Sequence, residues 1–436
     1  MIGTGQFELV QAHFTMQQGK IMEQQSIIGE PYLSSAAVTA FIETQLKKLR
    51  LVDKRVLILV PDTTRTMPVP LVYEAVTQAL GPVAAAVDFM VALGTHPALN
   101  PQELTGLFGQ PVVDSKIGDS RVFNHSWDVP ESLASIGLIN EDEIFRLSRG
   151  KLRQDLVVKI NRKVFDYDHL IIFGPIFPHE VAGFSGGNKY FFPGISGPEV
   201  IHLTHWLGAL LTNYNVIGSG YTPVRAMIDR AAEMIDKPKS CFAFVLDEGG
   251  VFGLFFGTPE DAWKEASALS AEKHIIRTGR TYDQVLSVLP PMYSDLWVGG
   301  KGMYKVEPVV ADGGEVIIYA PHLKEISYTH DEILREIGYH TSEYFTAQWE
   351  KFKDTPWGIL AHSTHVRGLG DYDPETGVET PRISVTLATG IPEEVCQAIN
   401  LGYRDPASID IEDWAGREEE GILLVRNAGE HLYRVQ

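Results

Sequence analysis

The stretch from His179 to His205, HEVAGFSGGNKYFFPGISGPEVIHLTH, gathers several side chains that could do chemistry. His179 and His205 are of the type that exchanges a proton or binds a metal near neutral pH. Between them, GFSGG is a turn whose glycines let backbone N–H groups converge on an anion such as a phosphate. Gly186 and Gly187 are its centre, and Lys189 follows, set against the apolar run YFFPGI. Taken singly, each has an ordinary reading. A histidine beside a sheet is usually a hydrogen-bonded structural residue. The turn lacks the P-loop and Rossmann spacings. A lone lysine lays its stem on apolar neighbours and keeps its amine in water. Their presence together in one stretch argues for a site.

Two other segments deliver polar residues just past apolar runs. Asp62-Thr63-Thr64-Arg65 follows LILVP, and Gly94-Thr95-His96-Pro97 follows DFMVAL. Arg65 could grip a carboxylate with its planar fork; equally, Asp62 and the threonines could cap a helix and leave Arg65 in solvent. His96 is well placed for proton transfer in a loop after a strand, although most such histidines have no chemical role.

The elements that must position these residues alternate. RVLILVPD, DFMVALG and HLIIFGPI read as buried strands, because a continuous apolar run bounded by Gly or Pro suits a sheet covered on both faces. Helices intervene: SSAAVTAFIETQLKKLR, capped at Ser34 or Ser35, a helix opening near Asn100, GPEVIHLTHW near Pro198, and RAMIDRAAEMI. RVFNHSWD is a shorter strand, and CFAFVLDEGGVFGLFFG a strand pair about Gly249-Gly250. The pattern predicts an α/β fold: two α/β domains with largely parallel sheets and a cleft between them. Residues 1–285 form the first domain and 286–419 the second, divided at the Pro-Pro break. In the second, YSDLWVGG reads as a strand, VVADGGEVIIYAP as a turn and strand, and SVTLATGIPEEVCQAINLGY as strand, loop and helix. HSTHVRG, with His362, His365 and Arg367, reads as a surface loop. GILLVRNAGEHLYRV closes the chain as a strand pair.

The chain has 436 residues, enough for two cores. Its net charge of −19 argues against nucleic acid as a partner, which needs a basic face. A few Lys and Arg in a cleft can still attract a small anion. Two cysteines, Cys241 and Cys396, make no disulfide framework and suit a reducing compartment. No signal-like pattern opens the chain and no apolar run is long enough to span a bilayer. The expectation is a cytoplasmic enzyme with a small-molecule partner and no membrane partner; self-association is left open.

The motif HxxxGFSGGxKxxxPGI, with a histidine sixteen residues after the lysine, resembles the nickel-dependent lactate racemase family. The resemblance is dense from Val56 to His205 and thin after about residue 340. It implies that Lys189 carries a nickel-pincer nucleotide (pyridinium-3-thioamide-5-thiocarboxylic acid mononucleotide) through a thioamide, that His205 ligates the nickel, and that His179 is an acid/base residue. The phosphate would rest near Gly186 and Gly187 or at a helix start. DxTR matches the family's substrate segment, so Arg65 is implied as the carboxylate anchor and Asp62 as a supporting carboxylate. GTHP before PQEL makes His96 the second acid/base residue. Lys301, twelve residues before Gly313-Gly314, is implied as a substrate contact, as is Trp349 within TAQW. His125 is assigned no catalytic role. The resemblance also implies that residues 420–436 return to the first domain. One departure stands out: the Tyr-Gln pair of lactate-active members, shortly before the lysine, is replaced by Trp297-Val298-Gly299-Gly300. Lys305 lies nearby as a competitor to Lys301. An alternative places His362, His365 and Arg367, with Lys301 or Lys305, in a pocket for a longer or more hydroxylated acid.

The implied reaction is racemisation or epimerisation at C2 of a 2-hydroxy acid. The C2 proton is barely acidic, so the hydrogen is better removed as hydride, leaving a keto acid, and returned to the other face. Amino-acid side chains offer no hydride acceptor, hence the cofactor. Two histidines suit the hydroxyl proton. Two other classes compete: a divalent-metal hydrolase or lyase using His96, His179 and His205, which lacks the HExxH spacing, and a non-catalytic binding protein.

Overall fold

The computed structural model describes residues 23–436. Residues 1–22 lie outside the described residues. The described chain opens with the strand Gln25–Leu33, followed by the helix Ser35–Lys48. Ser34 caps this helix by accepting from the Ala37 N–H, and Lys47 and Lys48 stand in its last turn, where the helix dipole favours cations.

The chain is α/β, with two main sheets and four two-stranded ones among the described residues. The larger has eight strands, and its centre is Lys239–Asp247, His169–Pro175, Arg55–Val60, Ala86–Val91 and Ser120–Asn124, all paired in parallel. Gly250–Gly257 and Gln25–Leu33 add antiparallel strands at one edge. The apolar runs become central strands because both faces are covered. Leu57, Leu59, Leu170 and Ile172 face one core, which continues into the second unit. Val56, Ile58, Val60, Ile171 and Phe173 face the other, against helices Ser35–Lys48 and Val69–Leu80. This alternation is the two-residue period of a strand.

The second sheet has five parallel strands, with Tyr282–Val288 and Val310–Ala320 at its centre. Its first strand thus starts before residue 286. Two expectations are corrected here. YSDLWVGG contains no strand: Asp295 caps a short helix, Leu296–Gly299, by accepting from the Val298 N–H. The two C-terminal strands do not pair with each other. Ile422–Val425 joins the second sheet beside Tyr282–Val288, and only Leu432–Arg434 crosses to pair with Ile275–Arg277. Each finds a parallel partner elsewhere, and that outweighs a local hairpin.

HSTHVRG is also corrected. It is the end of the buried helix Trp357–Arg367, in which His362 and His365 are 7% and 4% exposed. That helix packs against Pro198–Leu211 of the first unit. Among the described residues no helix is long and apolar enough to cross a membrane.

Candidate active site

Parallel strands end on the same edge of a sheet, and ligands of open α/β sheets bind there. Arg55–Val60 delivers Asp62 and Arg65, Ala86–Val91 delivers His96, and His169–Pro175 delivers His179 and Glu180. All five line one cavity of about 1110 Å³, mouth included. Lys189 and His205 line it too. The opposite wall comes from the second unit through Trp297, Tyr304, His362 and His365.

His96 donates from Nδ1 to the Asp62 carboxylate, which also accepts from Thr64 N–H at 3.1 Å and Thr64 Oγ1 at 2.6 Å. Burial works against an ionised Asp62. His96, Arg65 and Thr64 outweigh it and hold the carboxyl well below the usual carboxylate range. With Nδ1 committed, neutral His96 carries its lone pair on Nε2.

His179 is 4% exposed, and its Nδ1 accepts the Val181 N–H at 3.1 Å. In the neutral ring the proton then sits on Nε2. Burial, then Lys189, Arg65, His205 and Lys305, push its pKa well below the ordinary histidine value. The two histidines therefore face the cavity in opposite tautomers.

His205, on helix Pro198–Leu211, donates from Nδ1 to the Ile201 carbonyl at 2.6 Å. Its Nε2 lone pair is left for a ligand, the arrangement by which metal-binding histidines are usually oriented. Burial lowers its pKa to about 4, with Lys189 adding to the effect. The Lys189 amine has no hydrogen-bond or ion-pair partner among the described residues. Burial, and then Arg65, lower its pKa to about 8.

The glycine turn is pinned from behind. Arg225, 1% exposed, donates to the carbonyls of Gly186 and Phe184. Trp263 Nε1 donates to the Ser185 carbonyl at 3.0 Å. Gly186 has φ 73° and lies so close to Ile176 that a Cβ would fall 2.1 Å from Cδ1. Gly187 departs from expectation. It does not line the cavity: it packs on Trp263 and Pro259.

Arg65 lies 5.1 Å from the centre of the Phe177 ring and has no ion-pair partner among the described residues. Lys301 stands 4.9 Å from the Tyr293 ring centre and lines an adjoining chamber with Lys305. Arg65, Phe177, His179 and Glu180 line both spaces. Trp349 is elsewhere: it stacks on Trp206, ring centres 5.6 Å apart, and lines neither space. Its indole is taken up by helix packing. His125, 2% exposed, bonds to Ser196 O and Asn161 and is structural.

Glu180 went unremarked in the sequence. Burial raises its carboxyl, but its own backbone N–H, His365, Arg65 and Lys301 outweigh that and hold it below the usual range. Its Oε2 lies 3.5 Å from His179 Nδ1. The glutamate beside the motif histidine was the available signal. Arg225 and Trp263 could not be found from spacing, since both lie far along the chain from the turn they hold.

The family profile described as "Lactate racemase N-terminal domain" matches residues 20–217. A lactate racemase of Thermoanaerobacterium thermosaccharolyticum is 27% identical over 282 residues, 61% of this chain and 60% of that protein. A lactate racemase of Lactiplantibacillus plantarum is 26% identical over 163 residues, 37% of this chain and 34% of that protein. The matched stretches thus span less than two thirds of either relative. A crystal structure of a Thermotoga maritima protein superposes with a TM-score of 0.85 at 32% identity, covering 94% of this chain and all of that one. The lactate racemase apoprotein of T. thermosaccharolyticum superposes at 0.68 and 18% identity, over 93% of this chain and 94% of that one, which is a likeness of fold. Over residues 20–217 the chain belongs to the family of the lactate racemase N-terminal domain.

Proposed function

We propose that this protein inverts C2 of a 2-hydroxy acid, as a racemase or, where the substrate has further stereocentres, an epimerase. The reading rests above all on one observation: Arg65, His96, His179, Lys189 and His205 line a single cavity at one sheet edge. The names of the two lactate racemase relatives support it.

The residues present fit a lysine-tethered nickel-pincer nucleotide. Lys189 offers the unpartnered amine that a thioamide tether needs, with a pKa lowered to about 8. His205 offers an Nε2 lone pair fixed by its Nδ1 bond to Ile201 O. When bound, the group supplies the hydride acceptor that side chains lack.

The chain's own residues do the rest. Arg65, with Lys301, takes the substrate carboxylate. His96 Nε2, bare because Asp62 holds Nδ1, accepts the hydroxyl proton. His179 presents an Nε2–H hydrogen-bond donor to the oxygen on the other flank, and the proton taken up by His96 goes back to the substrate oxygen when the C2 hydrogen returns. The walls formed by Trp297, Tyr304, His362 and His365 keep bulk water out while the planar keto acid turns. The competing reading, a divalent ion held by side chains alone, gains no support: among the described residues no three His, Cys, Asp or Glu form a metal-binding group.

The test is inversion of enantiopure 2-hydroxy acids by the cofactor-loaded protein, read by chiral chromatography. His96→Asn or His179→Asn should each cost about 10²–10⁴-fold. A wild-type rate in either variant removes that residue from the scheme. Intact mass should show the adduct on wild type and its loss in Lys189→Ala.

A further inference from the structure

The adjoining chamber, about 790 Å³ with its mouth, bears on which acid is the substrate. It shares with the main cavity the wall formed by Arg65, Phe177, His179 and Glu180. His179 is 4% exposed, and its Nε2 has no hydrogen-bond partner among the described residues. Lys301 and Lys305 also line the chamber. The Lys301 amine has no ion-pair partner among the described residues, and Lys305 donates only to the Glu430 carbonyl, at 2.7 Å.

The remaining wall has the opposite charge. Asp247 and Glu248 come from the hairpin turn between Lys239–Asp247 and Gly250–Gly257. Glu430 and His431 come from the connection into Leu432–Arg434, far away in sequence. The carboxylates of Glu248 and Glu430 have no hydrogen-bond or ion-pair partner among the described residues. Burial raises the Glu430 carboxyl, Glu248 and Asp247 raise it further by repulsion, and the Lys305 ammonium opposes them. Two unpartnered carboxylates facing one space favour a ligand that donates hydrogen bonds and repel a second anion. Arg65, which is shared with the main cavity, and Lys301 in the chamber favour one carboxylate.

Resting on the 2-hydroxy acid reading above, we propose that the substrate is a polyhydroxylated 2-hydroxy acid, an aldonic acid of roughly hexose size. Its carboxylate lies at Arg65 and Lys301. Its distal hydroxyls donate to Glu248 and Glu430, with His431 beside them. A three-carbon acid would leave this wall unused.

The test compares gluconate, lactate, 2-hydroxyhexanoate and malate on cofactor-loaded wild type, Glu430→Gln and Glu248→Gln. Inversion is followed by chiral chromatography and binding by calorimetry. Wild type should favour gluconate over each of the other three by about 100-fold in kcat/KM, since a site built for hydroxyls rejects analogues lacking them. Glu430→Gln should lose about tenfold more on gluconate than on lactate. Glu248→Gln, at an exposed turn position, gives the same comparison if the first variant folds poorly. Equal use of lactate or 2-hydroxyhexanoate, or a preference for the malate dianion, overturns the proposal. If no acid is inverted, the reaction assigned above fails, and binding decides this inference alone. Tighter binding of gluconate than 2-hydroxyhexanoate, weakened by Glu430→Gln, upholds it. Equal or absent binding of the two overturns it.

Discussion

Asp62 and His96, thirty-four residues apart, are joined through the His96 Nδ1 donor and the Asp62 carboxylate. The bond exists because Arg55–Val60 and Ala86–Val91 are adjacent parallel strands that end together. It fixes which ring nitrogen of His96 can act as a base. Asp62→Asn should leave the fold intact and lower turnover by about 10²–10⁴-fold, because the wrong tautomer then faces the cavity. Steady-state rates across pH on the cofactor-loaded variant check this.

The same carboxyl gives a stability prediction. Its folded pKa lies below the unfolded value of roughly 3.9, so its contribution is full above that value and is lost as pH falls toward the folded one. The difference in unfolding free energy between wild type and Asp62→Asn should therefore be flat above about pH 5 and shrink in more acid solution. Urea titrations at several pH values measure it. A difference that grows on acidification contradicts the geometry.

Lys189 should be the unusual amine of the apoprotein. Burial and Arg65 bring it to about 8, so labelling by an amine-reactive reagent should titrate at Lys189 with a midpoint near 8, well below an ordinary lysine at roughly 10.4. Peptide mapping after brief labelling reads this out. A midpoint shared with surface lysines would mean the amine is solvated.

The histidine tautomers can be seen directly. Nitrogen NMR of the apoprotein at neutral pH should show His205 and His96 protonated on Nδ1 and His179 on Nε2. His205 should stay neutral down to about pH 5, since its pKa lies at about 4. An Nδ1-protonated His179 would instead pair with Glu180 and remove the contrast between the two flanks.

Gly186→Ala should destabilise the protein by about 1–3 kcal/mol, through a positive φ and the collision with Ile176. Chemical denaturation measures it. Gly220→Ala, where an added Cβ meets nothing, is the control and should change little.

Much of this site could be read from the chain because its residues follow apolar strands. Val60, Val91 and Pro175 end runs that only a covered sheet accommodates, so Asp62, His96 and His179 fall on one edge. The second wall was less legible. His362 and His365 lie in a polar string that looks solvent-facing, yet they are buried because their helix packs against Pro198–Leu211. Trp297 looked like part of a strand, but the cap at Asp295 starts a helix there. Trp349 matched by local sequence, and its stacking on Trp206 depends on a residue nearly 150 positions earlier. Such pairings are set by long-range packing, which no local pattern encodes.

The central claim is that the hydrogen at C2 leaves and returns as hydride, without mixing with solvent. Cofactor-loaded enzyme would be given an enantiopure 2-hydroxy acid deuterated at C2, in ordinary water, and the inverted product analysed by mass spectrometry. The account predicts that the inverted product keeps its deuterium. Inverted product carrying hydrogen from water would show proton abstraction instead and contradict the account.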